Sequence, residues 1–363
     1  MTDTLRARDA KDVEAAVQWL LAEGKTAEIV GHGSKRAIGR PAQSDVTIDL
    51  SALSGVTLYE PEELVLSARA GTPLAEIEAL VAAKGQQLAF EPMDCAAILG
   101  GATGRGTIGG AVAANLSGPR RLRAGAARDH LLGFTAMSGR GEAFKSGGRV
   151  VKNVTGYDLC KLMAGSWGTL AAMTEVTLKA LPAPEAEETV LIRGLGAAEA
   201  ITAMTGAMAA PCDVSGAAHL PAGVVACLPV AEAVGAGGAI TALRLEGFAP
   251  SVTHRRHLVE TLMKPFGELL SIEAPVSRAF WQAVRDVTPF ASRPSSPSQG
   301  KVKDERSLWR ISTAPSRGAE LGAIITARTE AQLFYDWAGG LIWLAVEPGD
   351  DAGSALVRAA VAA

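Results

Sequence analysis

Cysteine is scarce. The 363 residues hold four, Cys95, Cys160, Cys212 and Cys227, far apart and without a CxxC pair. That spacing suits neither a disulfide framework nor an iron–sulfur cluster within the chain, and reads as reduced thiols. Histidine is nearly as rare, with five residues and none after His257. Neither sign of charge dominates: 35 basic against 38 acidic side chains leave a formal −3, and aromatics make up 5% with three Tyr. A basic, aromatic-studded surface for nucleic acid is thereby excluded. No stretch approaches the roughly 18 uncharged apolar residues of a membrane helix. The opening MTDTLRARDAKD has no apolar core of a signal peptide. The expectation is a cytoplasmic chain with no direct membrane span, reaching a membrane only through partner subunits. Asn115-Leu-Ser117 and Asn153-Val-Thr155 match the glycosylation pattern, but without a secretory route they carry no weight.

Hydrophobic residues, at 48%, and charged ones, at 20%, are those of a folded protein, and the length favours two domains. Glycine is in excess at 40 residues, thirteen of them between Gly100 and Gly148, where backbone must turn tightly or approach a ligand. Val13, Val17, Leu20 and Leu21 share a helical face, with Asp9 as N-cap and Gly24 as stop. A strand at Glu28–Val30 runs into the loop GHGSKRAIGRP. Alternation predicts strands through Val46, Ile48 and Leu50, and through Leu64, Leu66, Ala68 and Ala70. Thr72-Pro73 opens a helix carrying Leu74, Ile77, Leu80 and Val81. Gly139-Arg140-Gly141 reads as a hairpin turn, and Leu170–Leu178 as a further strand.

Leu-Pro-Ala-Pro at 181–184 and the acidic residues that follow mark a boundary, giving domains 1–183 and 184–363. Beyond it the pattern is strand (189–193), helix (196–209), strands (214–229 and 239–246), helix (252–263), strand, helix (276–287). This β-α-β-β-α-β order predicts a ferredoxin-like sheet covered by helices on one side, in an α+β chain. Ser292–Gly300 reads as a mobile loop, and Leu341–Val346 as either a core strand or a partner contact.

Three glycine clusters carry the chemistry. Gly31-His32-Gly33-Ser34-Lys35 directly follows a strand; its backbone N–H groups form an anion nest, to which Ser34 and Lys35 add a hydroxyl and a charge. Gly100–Gly110 ends in Thr107-Ile108-Gly109-Gly110 and leads into a helix start, where unpaired N–H groups favour phosphate. The third cluster is Gly156-Tyr157-Asp158 with Gly165-Ser166-Trp167-Gly168-Thr169. Any one of them is a turn motif. Three together point to a ligand long enough to touch several loops, as a dinucleotide is. The Rossmann pattern is absent. Gly24-Lys25-Thr26 imitates a P-loop ending, but residue 19 is Trp where the first glycine belongs.

In the order of these marks, residues 1–183 resemble the FAD-binding domain of the vanillyl-alcohol oxidase/para-cresol methylhydroxylase (PCMH) family. GTIGGAVAANLSGPRR, KNVTGYDLCKLMAGSWGTLAAMTEVTLKALP, Leu308-Trp309-Arg310 and Asp336-Trp337-Ala338-Gly339-Gly340 are similar to FAD-binding subunits of bacterial glycolate oxidases. The resemblance implies a PCMH-type domain of two α/β subdomains gripping FAD, with a ferredoxin-like cap domain. By position, Gly31, His32, Gly33, Ser34 and Lys35, with Thr107, Ile108, Gly109 and Gly110, would hold the pyrophosphate. Asn115, Ser117, Arg128 and Asp129 would lie near the flavin or ribityl end. Gly156, Tyr157, Asp158, Gly168 and Thr169 would close the site. Relatives that attach flavin covalently through the first loop have a His after the glycines; Ser34 stands there, so the FAD is expected to be noncovalent. Trp167, where many relatives carry Glu, either narrows the site or packs. Arg120, Arg121 and Arg123 are either a solvated surface or a contact for an anionic substrate or partner.

Oxidation of a 2-hydroxy acid needs a base for the hydroxyl proton and a cation for the carboxylate. The late His cluster of catalytic relatives is missing, and His254 with His257 lacks a completing carboxylate or Cys, so no metal is expected. The resemblance therefore implies a subunit of a multi-subunit glycolate oxidase, working with a catalytic FAD sister chain and an iron–sulfur subunit. The alternatives are a stand-alone hydroxy-acid dehydrogenase with Tyr157 or His130 as base, and a scaffold without catalysis.

Overall fold

The computed structural model describes residues 3–149, 156–235, 237–294, 301–303 and 306–362. Asn153, Thr155 and the loop residues 295–300 lie outside the described residues. Contacts divide the chain into two units. One comprises Met1–Gly118 and Gly125–Ala183, the other Pro119–Ala124 and Pro184–Ala363. The short segment Pro119–Ala124 thus groups with the second half of the chain, although sequence position had placed it in the first.

In the first unit, the helix Ala10–Glu23 starts where Asp9 accepts the N–H groups of Lys11 and Asp12, each at 2.9 Å, and stops at Gly24 with φ 63°. Its buried face of Val13, Ala16, Val17 and Leu20 packs on Val46 and Ile48. Those two belong to the middle strand of a three-stranded parallel sheet, ordered Asp3–Arg6, Val46–Asp49, Ala27–Val30. A five-stranded antiparallel sheet follows, ordered Val56–Glu60, Val65–Arg69, Ala171–Lys179, Leu131–Ser138, Ala143–Gly147. Residues of the helices Leu74–Ala82 and Ile108–Ala114, including Ile77, Val81, Ile108 and Val112, share its core with Leu66, Val176 and Leu178.

The second unit is built on a seven-stranded sheet, ordered Leu269–Glu273, Ala186–Arg193, Ile240–Gly247, Gly216–Leu220, Ala331–Asp336, Leu341–Val346, Ser307–Ser312. The first four strands stand in the ferredoxin-like order, each antiparallel to its neighbour. Residues 222–225, expected to be strand, form a short helix instead. Leu341–Val346 is a fully buried inner strand between two partners.

Helices cover both faces of this sheet rather than one. Alternate residues of a strand point to opposite sides. Val190 and Ile192 pack with Ala200, Met204, Val252 and Val259 of the helices Ala197–Ala209 and Ala249–Met263. Thr189 points the other way, where its hydroxyl lies 2.7 Å from Ser277 Oγ and accepts Trp281 Nε1–H at 2.8 Å. Both partners sit on the helix Ala274–Arg285, whose apolar residues include Phe280 and Trp281. Sequence periodicity identifies that helix but not the side of the sheet it covers.

This second face also buries charge. Arg244, 1% exposed, lies under the Trp281 ring at 4.8 Å and reaches Glu246 at 3.4 Å. Arg120 approaches the same carboxylate with two N–H donors, Nε at 3.0 Å and Nη2 at 2.7 Å. Burial alone would raise the Glu246 pKa, but Arg244 and then Arg120 outweigh it and hold the group at about 2. Arg121 lies over the Trp337 ring at 4.1 Å, and Arg123 pairs with Asp213 at 2.6 Å. The arginine cluster is thus divided: Arg120 is paired in the interior, whereas Arg123, its side chain 62% exposed, is a surface residue paired with Asp213. The cluster fastens Pro119–Ala124 to the second unit.

Candidate functional site

Ten of the expected cofactor residues line one cavity of the first unit: Gly31, His32, Gly33, Ser34, Lys35, Thr107, Gly109, Gly110, Gly168 and Thr169. Its volume is about 560 Å³. The parallel strand Ala27–Val30 delivers the first loop to its rim, and Ala113, Ala114, Ala171 and Met173 give it an apolar side. A second recess of about 450 Å³ shares Val30–Gly33 and Arg36 and adds Arg6, Asp49, Ser51 and Arg105.

The two glycine loops on the cavity play different parts. In Gly31–Lys35, no backbone N–H donates to another described residue. Gly33 takes φ 70°, a conformation that opens such a nest. At the start of the second loop's helix the N–H groups are already engaged. Ile108 donates to Thr72 O and Gly109 to Ala70 O, each at 2.9 Å, and Gly110 to Thr107 Oγ1 at 3.2 Å. A Cβ on Gly109 would stand 2.7 Å from Ala70 Cβ and 2.8 Å from Ala70 O. Gly109 therefore lets the helix abut the strand end beneath it, and that packing takes up the helix's first N–H groups. The loops also press together: a Cβ on Gly31 would meet Thr107 Oγ1 at 2.5 Å.

Charge at the mouth is cationic. Arg36 is paired with Glu28, which also accepts the Thr47 hydroxyl at 2.7 Å. Lys35 and Arg40 line the cavity with no ion pair to any described residue. Arg36, Arg40, Gln43 and Ser44 were not singled out from sequence; their only signal was their place in the loop GHGSKRAIGRP. His32 faces Arg105 O through Nδ1 at 3.2 Å. Trp167 lines the cavity with φ 55°, 45% exposed, its N–H donating to Ala113 O at 2.9 Å.

The other expected residues lie elsewhere. Ile108 is fully buried in the core. Asn115 (φ 50°) ends the helix and accepts Arg128 N–H through Oδ1 at 3.0 Å, while Ser117 Oγ accepts Ala127 N–H at 3.0 Å. Asp129 accepts Ala126 N–H at 2.8 Å and stands 3.6 Å from Lys161, whose ammonium donates to Arg128 O at 2.9 Å. Asp158 caps the next helix by accepting Lys161 N–H at 3.2 Å. Asn115, Ser117, Arg128, Asp129 and Asp158 are thus held by local hydrogen bonds and ion pairs and are not among the residues that line the cavity. Gly156 is exposed, and Tyr157 is 90% exposed. His130, the alternative base, is fully buried against Phe90 with Nδ1 3.3 Å from Lys179 O, where no substrate reaches it.

Among the described residues no three His, Cys, Asp or Glu side chains form a metal-binding group, and no helix is long and apolar enough to cross a membrane. Cys95, Cys160 and Cys212 are buried, and burial pushes the Cys160 thiol up to about 11.

A glycine loop with unengaged N–H groups on a cavity with one apolar side, carried by a parallel sheet next to an antiparallel one, is the setting of a cofactor-binding domain. Residues 4–147 match the family described as FAD binding domain. The whole chain aligns with p-cresol methylhydroxylase at a TM-score of 0.69 and 11% identity, covering 99% of this chain and 78% of that one. Alkyldihydroxyacetonephosphate synthase aligns equally well, at 0.69 and 16% identity, over 99% and 70%. The chain belongs to the family of the glycolate oxidase subunit GlcE: it is 34% identical to that protein of Escherichia coli K12 over 317 residues, 87% of this chain and 75% of the relative. A shorter stretch of 85 residues is 41% identical to the glycolate oxidase subunit GlcD of Bacillus subtilis, covering 23% of this chain and 18% of GlcD.

Proposed function

We propose that this chain is the FAD-binding subunit of a multi-subunit glycolate oxidase and holds its FAD noncovalently. The observation that carries the reading is the Gly31–Lys35 loop, with its unengaged N–H groups and cationic neighbours on a cavity that ten expected residues line. These residues fit the group. Backbone donors and Lys35 would take the pyrophosphate, and Ala113, Ala114, Ala171 and Met173 would flank an uncharged part of the cofactor. Asn115, Ser117, Arg128 and Asp129 would shape the adjoining backbone through the hydrogen bonds they already make. When bound, FAD supplies a hydride acceptor.

The reaction would convert glycolate to glyoxylate. The scattered cysteines of this chain offer no cluster for onward electron transfer, so a GlcD-like sister chain and an iron–sulfur subunit complete the assembly. A cytoplasmic location, with any membrane attachment made through those partners, goes with this reading. The test is a visible absorption spectrum of the purified chain before and after acid precipitation. Flavin bands that move to the supernatant are expected. A colourless chain that cannot be reconstituted refutes the cofactor reading, and colour retained in the pellet refutes noncovalent attachment. Glycolate oxidation by the chain alone at the rate of the assembled complex would refute the subunit reading.

A further inference from the structure

Trp167 is the largest side chain on the cavity of the first unit, and it occupies a backbone position that suits it badly. The loop 165–169 takes left-handed backbone three times, at Gly165 (φ 95°), Trp167 (55°) and Gly168 (77°). Two of those positions hold the residue that such a conformation favours; the third holds an indole. The loop is pinned all the same. Trp167 N–H donates to Ala113 O at 2.9 Å and Gly165 N–H to Val112 O at 3.2 Å, which gives carbonyls at the end of the helix Ile108–Ala114 their partners. The Thr169 hydroxyl donates to Ser166 O at 2.6 Å. A Cβ on Gly168 would rest 3.5 Å from Ile29 Cβ, on the strand that leads into the first glycine loop. A strained residue held this firmly by its surroundings is a mark of binding sites.

Core packing does not account for the indole. Trp167 is 45% exposed and belongs neither to the core cluster of Leu66 and Val176 nor to that of Val46 and Ile48. It stands instead on the cavity lining with the small or pliable side chains Ala113, Ala114, Ala171 and Met173.

We propose that Trp167 stacks on the adenine ring of the bound FAD and thereby selects a flavin dinucleotide over a mononucleotide; this inference deepens the reading given above and rests on it. An open indole beside small apolar side chains suits a flat, uncharged ring, because stacking needs a free ring face and little obstruction opposite it. The whole of the first glycine loop lines this cavity, whereas Asn115, Ser117, Arg128 and Asp129, expected at the flavin or ribityl end, do not. The ring that adjoins the pyrophosphate on this side is therefore the adenine. Gln43 on the same lining offers an amide, the group that matches the N6 and N7 edge of adenine.

The experiment measures the dissociation constant of FAD from the flavin-loaded full chain by ultrafiltration, with ADP and FMN as competing probes. Removing the aromatic partner of a stacked base weakens binding by roughly five- to 150-fold. W167A is expected to bind FAD and ADP at least about fivefold more weakly, and by the same factor, while FMN, which lacks adenine, competes as it does with the unaltered chain. W167F, which keeps a ring face, should recover most of the loss. An FAD constant unchanged in W167A overturns the inference, as does failure of ADP to displace FAD. So does FMN binding weakened as much as that of FAD, which would set the indole on the flavin. For a chain that takes up no flavin, ADP is titrated directly: binding that W167A weakens refutes the FAD reading and keeps the adenine site, whereas no ADP binding overturns both.

Discussion

Replacing Arg120 by Met removes a cation from a buried carboxylate while keeping the side-chain stem. Glu246 is held at about 2 against an ordinary 4.5. At about 1.4 kcal/mol per pH unit, that depression corresponds to stabilisation on the order of 3 kcal/mol, shared between Arg244 and Arg120. Neither side chain of the Arg120–Glu246 pair exceeds 13% exposure, so solvent screening removes little of it. R120M leaves Arg244 as the remaining cation, and the expected loss is about 2–4 kcal/mol. For a unit of this size that lowers its melting temperature by about 4–16 °C. The pH dependence has a definite sign. A carboxylate depressed in the folded state contributes fully above about pH 4.5 and loses that contribution as pH falls towards 2. The gap between R120M and the unaltered chain should therefore be constant from pH 6 to 8 and narrow below pH 4.5. Calorimetric melting of the full chain at pH 7 and pH 3 tests both points. A shift under about 1 °C at pH 7, or a gap still unchanged at pH 3, refutes the reasoning.

Gly109→Val places a branched side chain against Ala70 Cβ and O; it should destabilise the first unit by about 1–3 kcal/mol and empty the cofactor site, whereas stoichiometric flavin with an unchanged melting temperature would contradict the packing argument. His219 is buried neutral beside Thr241, its pKa lowered to about 4 by burial. The unfolded chain takes up that proton first as pH falls below about 6.5, so between pH 7.5 and pH 5 stability should drop by on the order of 2 kcal/mol. Urea midpoints at the two pH values should converge in H219Q, and an undiminished slope there would assign the dependence to other groups.

What sequence made legible was local. Asp9 and Gly24 bracket the first helix because a cap and a left-handed stop are written into single residues. The Gly31–Lys35 loop was locatable because closely spaced glycines directly after a strand are written into the sequence, whereas the cavity it lines was not. The helix at Thr107 was equally visible, yet its N–H groups turned out to be engaged by Thr72 and Ala70, more than thirty positions back in the chain. Arg120 and Glu246 are 126 residues apart, and no periodicity links them. The role of the helix Ala274–Arg285 was hidden likewise, since amphipathic spacing shows that a helix has a buried side without saying which sheet face receives it. Arg310 and the Asp336–Gly340 turn stood out as motif fragments. Their juxtaposition comes from the pairing of Arg310 with Trp343 across neighbouring strands.

The lodging of Pro119–Ala124 in the second unit has a topological consequence. The polypeptide passes between the units at 118/119, 124/125 and 183/184, so they are joined by three covalent links. A single proteolytic nick at the Pro-Ala-Pro boundary covalently separates residues 1–183 from 184–363, and the two pieces then share only the noncovalent packing of Pro119–Ala124. A fragment starting at Pro184 would be born with a notch, lacking Arg120 and the packed Leu122 while still carrying Glu246. A six-residue peptide of the missing segment then becomes a ligand for that fragment in trans, and the binding of the two pieces would report, as an association constant, what the intact chain conceals as intramolecular connectivity.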